Sequence, residues 1–323
     1  MKKSLVKLVL ITTGIVSILL TISCSSKSKG PEEIAVIVKT SNSSFWQNVE
    51  KGAKDAEAEL KSAGMNVMIS FDGPEAETKV NEQVNLVENA INRGVKAIVL
   101  APSDPDALKP VLQKAKDAKI PVIIIDSAIK DESLYTSFLA TDNKLAGELC
   151  AKALLEKAGT EGKVAVMSYV AGVGSEIGRV GGFIDYIKAN SKMKIVGPFY
   201  SQADMVTALN QTTDVLAANP DLKAIFGANE PTAVGMGRAI KEAGKSGKVV
   251  AIGFDGNEDL QNFVKDGTLV GIAAQSPYNM GYLGVKTAMD AANGKTVSKE
   301  VDTGVLFISK ENIDSTEAKN VLY

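Results

Sequence analysis

Short runs of β-branched and other apolar residues alternate along this chain with longer stretches whose apolar positions recur every three to four residues. The continuous runs predict strands over 34–39, 67–71, 97–101, 122–126 and 137–141, then over 163–168, 195–199, 224–228, 249–254 and 270–274. Helical spacing predicts helices over 45–63, 80–93, 108–118, 145–158, 182–189, 205–218, 232–243 and 278–292, with one more β-like run over 301–308. Strands that are apolar throughout are buried on both faces, and with helices of ~10–18 residues between them they indicate βαβ units and parallel sheets. The series reads twice, once before Ser137 and once after Lys163. The expected fold is therefore α/β, with two doubly wound parallel-sheet lobes. Turn chemistry agrees: Gly64, Gly94, Gly159, Gly162, Gly244 and Gly267 fall near helix ends or before strands.

The first thirty residues break this pattern. Lys2, Lys3 and Lys7 precede a charge-free apolar run over 8–22 and a polar stretch over 23–30, the order of a secretory signal. The apolar run is ~15 residues, short of the ~20 that span a bilayer. Thr21, Ile22, Ser23 and Cys24 resemble a bacterial lipoprotein box, with Thr21 where leucine is usual. The expectation is a signal peptide over 1–23, Cys24 as the acylated first residue of the mature protein, and a flexible tether over 24–32. Cys150 falls on an apolar helical stripe with Leu145 and Leu154, where a small buried residue is expected.

Composition removes several classes of chemistry. The 323 residues are 45% hydrophobic, enough for two lobes of about 130–150 residues each. The formal charge is −2; without the three leader lysines, 33 basic residues face 38 acidic ones, leaving −5. That sign gives no support to a nucleic-acid partner. The absence of histidine excludes Ser-His-Asp and Cys-His catalysis and zinc sites with imidazole ligands. Two cysteines build no disulfide framework. Neither metal nor cofactor is expected.

Three motifs invite a reading and fail it. Ala239 to Ser246 fits a loose phosphate-loop pattern, but it ends a helix instead of opening one. Gly172, Gly174 and Gly178 follow a strand as a dinucleotide loop does, with spacing off by one; a bend bringing backbone close to a ligand is the better reading. Asp255, Asn257 and Asp259 begin like a calcium loop, yet Leu260 stands where the turn glycine is required.

What remains is a convergence at strand ends, where ligands bind in open parallel sheets. Asn42, Ser43, Phe45 and Trp46 follow the first strand, and Asp126 and Ser127 close the fourth. Arg179 follows the glycine bend, and Asn229, Glu230, Asp255 and Gln275 end later strands. Carboxylates accept hydroxyl hydrogen bonds, arginine donates a fork, amides do both, and aromatic rings cover apolar faces. A sugar presents those surfaces together.

At these residues the chain resembles the type I periplasmic solute-binding proteins, in the group that includes ribose-binding protein. The resemblance runs from Glu33 to Lys310. It is carried by Ile34 to Val38 with Asn42, Phe45 and Trp46; by Ala101 to Asp104; by Ile120 to Asp126; by Thr141 to Asn143; by Asn219 to Asp221; by Gly253 to Gly256; and by Ala274 and Gln275. It implies a three-strand hinge near Thr141, Gln275 and Gly304, with a first lobe over 33–140 plus 276–304 and a second over 141–275 plus 305–323. It further implies sugar contacts at Asn42 or Ser43, Phe45, Trp46, Asp126, Arg179, Asn229, Asp255 and Gln275, with Ser127 and Gln202 at changed positions. Ser127 stands where ribose binders place a second arginine, Ala101 where they place asparagine, and Gln202 or Ala203 where they place an aromatic. The sugar class, and not ribose itself, is the expectation. Tyr169, Glu176, Glu230 and Tyr278 are close enough in sequence to fill the changed places.

The function implied is a lipid-anchored extracytoplasmic monomer, not an enzyme, that captures a pentose, hexose or related polyol and delivers it to an ABC importer. A repressor sensor would need an N-terminal basic helix-turn-helix, which the signal and tether replace. A sugar-acting enzyme would use Asp126 and Asp255 as a pair, but Arg179 beside them would spoil the proton donor. A nucleoside or furanone signal in the same cleft is the remaining alternative.

Overall fold

The apolar runs condense into two six-stranded sheets. The structure, a computed structural model, describes residues 30–323; the signal segment, Cys24 and the tether up to residue 29 lie outside the described residues. The first sheet is built from β1 (Glu32–Ile37), β2 (Val67–Asp72), β3 (Ala97–Leu100), β4 (Val122–Ile125) and β5 (Ser137–Ala140). Helices α1 (Ser44–Ser62), α2 (Val80–Arg93) and α3 (Lys109–Asp117) connect them. The second is built from β6 (Lys163–Ser168), β7 (Lys194–Tyr200), β8 (Leu222–Gly227), β9 (Val250–Phe254) and β10 (Gly271–Gln275), with α4 (Asn143–Ala158), α5 (Gly174–Asn190), α6 (Met205–Ala218), α7 (Glu230–Glu242) and α8 (Glu258–Asp266). The chain then returns to the first lobe with α9 (Pro277–Ala292) and β11 (Glu300–Asp302), and to the second with β12 (Val305–Ser309) and α10 (Thr316–Lys319).

Strand order is β11-β5-β4-β3-β1-β2 in one sheet and β12-β10-β9-β8-β6-β7 in the other. Every pairing is parallel except β12 on β10, which is antiparallel. The inner strands β3 and β4 are buried at every residue, which explains why their sequences do not alternate. Side chains leave a strand on alternate faces, so Ile34 and Val36 join the core under α1 and α9 while Ala35 and Ile37 join the one under α2 and α3. The second lobe repeats the device with Ala165 and Met167 on one face and Val164 and Val166 on the other. Each isoleucine, valine or methionine among them contributes about 1.5–3 kcal/mol on burial.

Two helix pairs pack too closely for side chains between them. A Cβ on Gly52 of α1 would lie 2.0 Å from Tyr278 O of α9, and one on Gly281 of α9 would lie 2.0 Å from Val49 O. In the second lobe, a Cβ on Gly147 of α4 would lie 2.0 Å from Arg179 O of α5. The two lobes thus use the same clasp of backbone on backbone.

The chain crosses between lobes three times: after Ala140, after Gln275 and after Asp302. The first and third crossings are tied together, with Thr141 Oγ1 donating to Gly304 O at 3.0 Å and Thr303 N to Ala140 O at 3.0 Å. Three elements differ from the sequence expectation. The run over 301–308 is split by Gly304, at φ 81°, into two strands that belong to different sheets. Helix α5 begins at Gly174 and not near 182, because its glycines, poor helix formers alone, let it press onto α4. The acidic stretch after Asp255 forms the start of α8: Asn257 caps it by accepting from Leu260 N, and Glu258 and Asp259 lie in its first turn, where carboxylates suit the dipole.

Candidate functional site

Between the C-terminal strand ends of the two sheets lies a cavity with about 330 Å³ of space free of protein atoms, part of it open to solvent. The first lobe lines it with Lys39, Ser43, Phe45, Trp46, Glu77 and Asp126. The second contributes Tyr169, Ser175, Arg179, Asn229, Glu230, Pro231, Asp255 and Gln275.

The two aspartates occupy equivalent positions, each just past the end of a central strand. Asp126 has φ 64° and Asp255 φ 77°, a left-handed conformation that aspartate tolerates better than most residues. Asp255 is 3% exposed; its Oδ2 accepts from Glu230 N at 2.8 Å and its Oδ1 from Gln275 Nε2 at 2.9 Å. Burial raises its carboxyl, opposed chiefly by the Arg179 charge. The remaining oxygen of that amide, Gln275 Oε1, is buried without a partner, an acceptor left for whatever enters the cavity.

Arg179 is held by a frame of its own. Its Nε and Nη2 donate to Asn143 Oδ1 at 3.0 and 2.7 Å, and Nη1 donates to Ala228 O at 2.7 Å. The guanidinium lies 3.6 Å from the Phe254 ring centroid. Of its five N–H groups, three are engaged in this way, and the others are available to a ligand. Phe45 and Trp46 open α1, capped by Ser43, whose Oγ accepts from Trp46 N. Their rings meet edge to face at 4.8 Å.

On the other aspartate sits a residue that sequence reading missed. Lys39 Nζ lies 2.6 Å from Asp126 Oδ2 and 2.6 Å from Ser127 Oγ, with the lysine 2% exposed. Ser127 Oγ is also 2.8 Å from Asp126 Oδ2 and 2.9 Å from Ser175 Oγ, so hydrogen bonds already link the lobes beside the cavity. Glu77 was missed as well. It accepts from Trp46 Nε1 at 3.3 Å, and burial raises its carboxyl despite the nearby Lys39 charge.

Of the residues expected at the site, the structure brings Ser43, Phe45, Trp46, Asp126, Arg179, Asn229, Asp255 and Gln275 to the lining of one cavity. It does not bring the other three. Asn42 turns outward, its Nδ2 donating to Glu75 O at 3.0 Å. Ser127 stands behind Lys39, fully buried. Gln202 sits exposed in the turn after β7, held at φ 59° with its N–H on Tyr169 O. Among the residues named as able to fill changed places, Tyr169 and Glu230 line the cavity. Glu176 instead accepts from Ser168 Oγ, and Tyr278 donates to Asp55 on the exposed side of α1. Cys150 is buried under α5, as its helical position suggested.

The arrangement can bind a small neutral polyhydroxyl compound: acceptors and donors on both sides, aromatic rings on one, and closure by a hinge. The comparisons point the same way. The periplasmic binding protein domain family matches residues 34–296. The chain is 33% identical to the D-allose-binding periplasmic protein of Escherichia coli (strain K12) over 282 residues, 84% of this chain and 89% of that one. It is 31% identical to the ribose import binding protein of the same strain over 302 residues, 93% of this chain and 98% of that one. Among solved structures it is similar to an ABC transporter solute binding protein from Agrobacterium vitis with bound D-fucose: 66% identity, TM-score 0.88, covering 90% of this chain and 100% of that chain.

Proposed function

The chain belongs to the periplasmic binding protein family, and on that premise we propose that it captures a monosaccharide in the interlobe cavity and presents it to an ABC importer. The relatives are binding proteins, and the cavity is a binding site, not a catalytic one. The observation that carries the reading is the lining itself. Asp126 and Asp255 face in from opposite lobes, with Arg179, Asn229 and Gln275 as polar partners and Phe45 and Trp46 as an apolar wall.

In this mechanism the sugar's hydroxyls donate to the two aspartates and to the unpartnered Gln275 Oε1, and accept from the unengaged N–H groups of Arg179. Phe45 and Trp46 cover its C–H face. Since these groups come from both lobes, the ligand favours the closed arrangement by contacts that the open one lacks. The likeness to the D-fucose-bound protein, at about twice the identity of the other two, favours a hexose of that kind over ribose.

A thermal-shift panel of D-fucose, D-galactose, D-allose, D-ribose and D-arabinose tests the proposal. A ligand at 100 times its dissociation constant stabilises a one-site binder by about 2.7 kcal/mol. For a protein of this size that is a rise of roughly 4–5 °C in Tm. D-Fucose or D-galactose should give the largest shift; no shift with any sugar sinks the reading.

The finer placement, a lipid anchor on Cys24, belongs to the same proposal and is supported by the lipoprotein-like box at Thr21 to Cys24. Cys24→Ser should move the protein from the membrane to the soluble fraction. A wild-type protein already found soluble after export would remove the anchor.

A further inference from the structure

A groove crosses the first lobe at the end opposite the sugar cavity, over the N-terminal ends of β3, β4 and β5. It holds about 1360 Å³ of space free of protein atoms, part of it open to solvent. Lys96, Lys116 and Lys119 line it beside the apolar Ile120, Leu134 and Tyr135, and no carboxylate among the described residues does. The chain as a whole is net negative, so this lining differs from its average surface. Lys96 is half-buried and pairs with Glu32 at 3.0 Å. Lys116 and Lys119 are exposed. Lys116 reaches Ser133 Oγ at 3.3 Å, and neither lysine makes an ion pair among the described residues.

Lys119 sits where the backbone favours glycine. Helices α1, α2, α3 and α7 end in the same pair of hydrogen bonds, with one left-handed residue at the turn. In α1, α2 and α7 that residue is Gly64, Gly94 and Gly244; in α3 it is Lys119, at φ 58°. Glycine takes this conformation without a steric penalty and lysine does not. Helix termination does not call for the lysine, and what it adds is a charge at the groove.

The first residues of β1 lie at the same end of the sheet. β1 runs parallel to β3, Lys96 N donates to Glu33 O at 2.6 Å, and the Lys96 ammonium meets Glu32. The chain from Cys24 to Glu32 reaches at most about 30 Å when fully extended. Lys27 and Lys29 are the charged residues between those two positions. An anchor on Cys24 therefore keeps this end of the first lobe, and not the cleft, within reach of the bilayer.

Resting on the Cys24 anchor proposed above, we propose that the groove is a membrane-contact surface that takes the anionic headgroups of phospholipids. Lys116 and Lys119 meet the phosphates, and Ile120, Leu134 and Tyr135 give the glycerol and upper acyl region an apolar bed. Lys27 and Lys29 of the tether add to the same attraction. Sugar enters at the other end of the strands, so lipid contact and sugar capture do not compete. The second lobe has a counterpart groove lined by Lys223, Lys245 and Lys248, but Asp221 lines it too and the tether does not lead to it. It serves as the internal control.

The test places the exported lipoprotein in vesicles of phosphatidylcholine alone or mixed with phosphatidylglycerol, and reads amine-reactive labelling of each lysine by mass spectrometry. In the mixed vesicles labelling of Lys116 and Lys119 should drop about fivefold, the factor by which one lysine favours an anionic surface. High salt should restore it, and Lys245 and Lys248 should label alike on both vesicles. Lys119→Gly should raise the melting temperature, leave D-fucose affinity unchanged and reduce the protection of Lys116. Equal labelling of Lys116 and Lys119 on the two vesicles overturns the proposal. So does equal protection of Lys245 and Lys248, which marks unspecific adsorption, or protection by free glycerol phosphate without vesicles, which marks a site for a soluble anion. If the exported protein carries no lipid, that failure falls on the anchor, and sedimentation of the unacylated protein with the same vesicles judges the groove. A preference for the mixed vesicles that falls about fivefold in Lys119→Gly sustains it; no preference, or one that the variant retains, overturns it.

Discussion

Lys39 and Asp126 form an ion pair whose two members are each almost wholly removed from water. Removing one partner from such a pair leaves an uncompensated charge and costs about 3–5 kcal/mol. Lys39→Met should therefore lower the melting temperature by roughly 5–8 °C, at about 1.6 °C per kcal/mol for a protein of this size. Sugar affinity should fall with it, because Asp126 loses the cation that holds its carboxylate in place. A variant with wild-type melting would show that Asp126 finds another partner. Asp126, Asp255, Arg179 and Gln275, expected from the convergence of strand ends in an open parallel sheet, all line the cavity. Sequence reading missed Lys39, because a lysine closing an apolar strand reads as a solvated end, and its partner Ser127 lies 88 positions away. It missed Glu77 because the loop after β2 has no periodicity to mark which side faces in. Asn42 and Gln202, which the family resemblance had suggested, lie outside the cavity lining.

Secondary elements place the cavity-lining side chains by backbone contact as much as by side-chain packing. Helix α5 brings Arg179 to the cavity, and it does so pressed against α4 at Gly147. A methyl group there would sit on the Arg179 carbonyl oxygen. Gly147→Ala should thus push α5 away, costing about 1–3 kcal/mol in stability from overpacking. It should also weaken sugar binding although residue 147 touches no ligand. Calorimetry on the folded variant checks it: unchanged affinity would mean α5 moves without carrying Arg179. The strands and most helices were legible because apolar runs and helical stripes are strong local signals. The start of α5 was not, since its glycines serve a tertiary contact that local propensity opposes. The split of the last β-like run was not either: nothing in an unbroken apolar pattern says that its halves pair in different sheets.

The molecule as a whole is two copies of one architectural plan facing each other across a hinge, and that plan was readable from the doubled series of strands and helices. Hidden from the sequence was the closure, because contacts such as Ser127 with Ser175 and Phe45 with Tyr323 join segments that no local pattern relates. The three crossings described above have another consequence, for the order in which the protein can be made. Helix α1, near the beginning of the chain, packs on α9, and the hydrogen bond from Tyr278 to Asp55 spans 223 positions. The second sheet likewise waits for β12 to cover its edge. Neither lobe can complete its core until the last stretch of chain is present, so contacts of such long sequence separation make for slow folding. A polypeptide in that condition stays open late in its synthesis, and an open chain is the form that a secretion channel can thread.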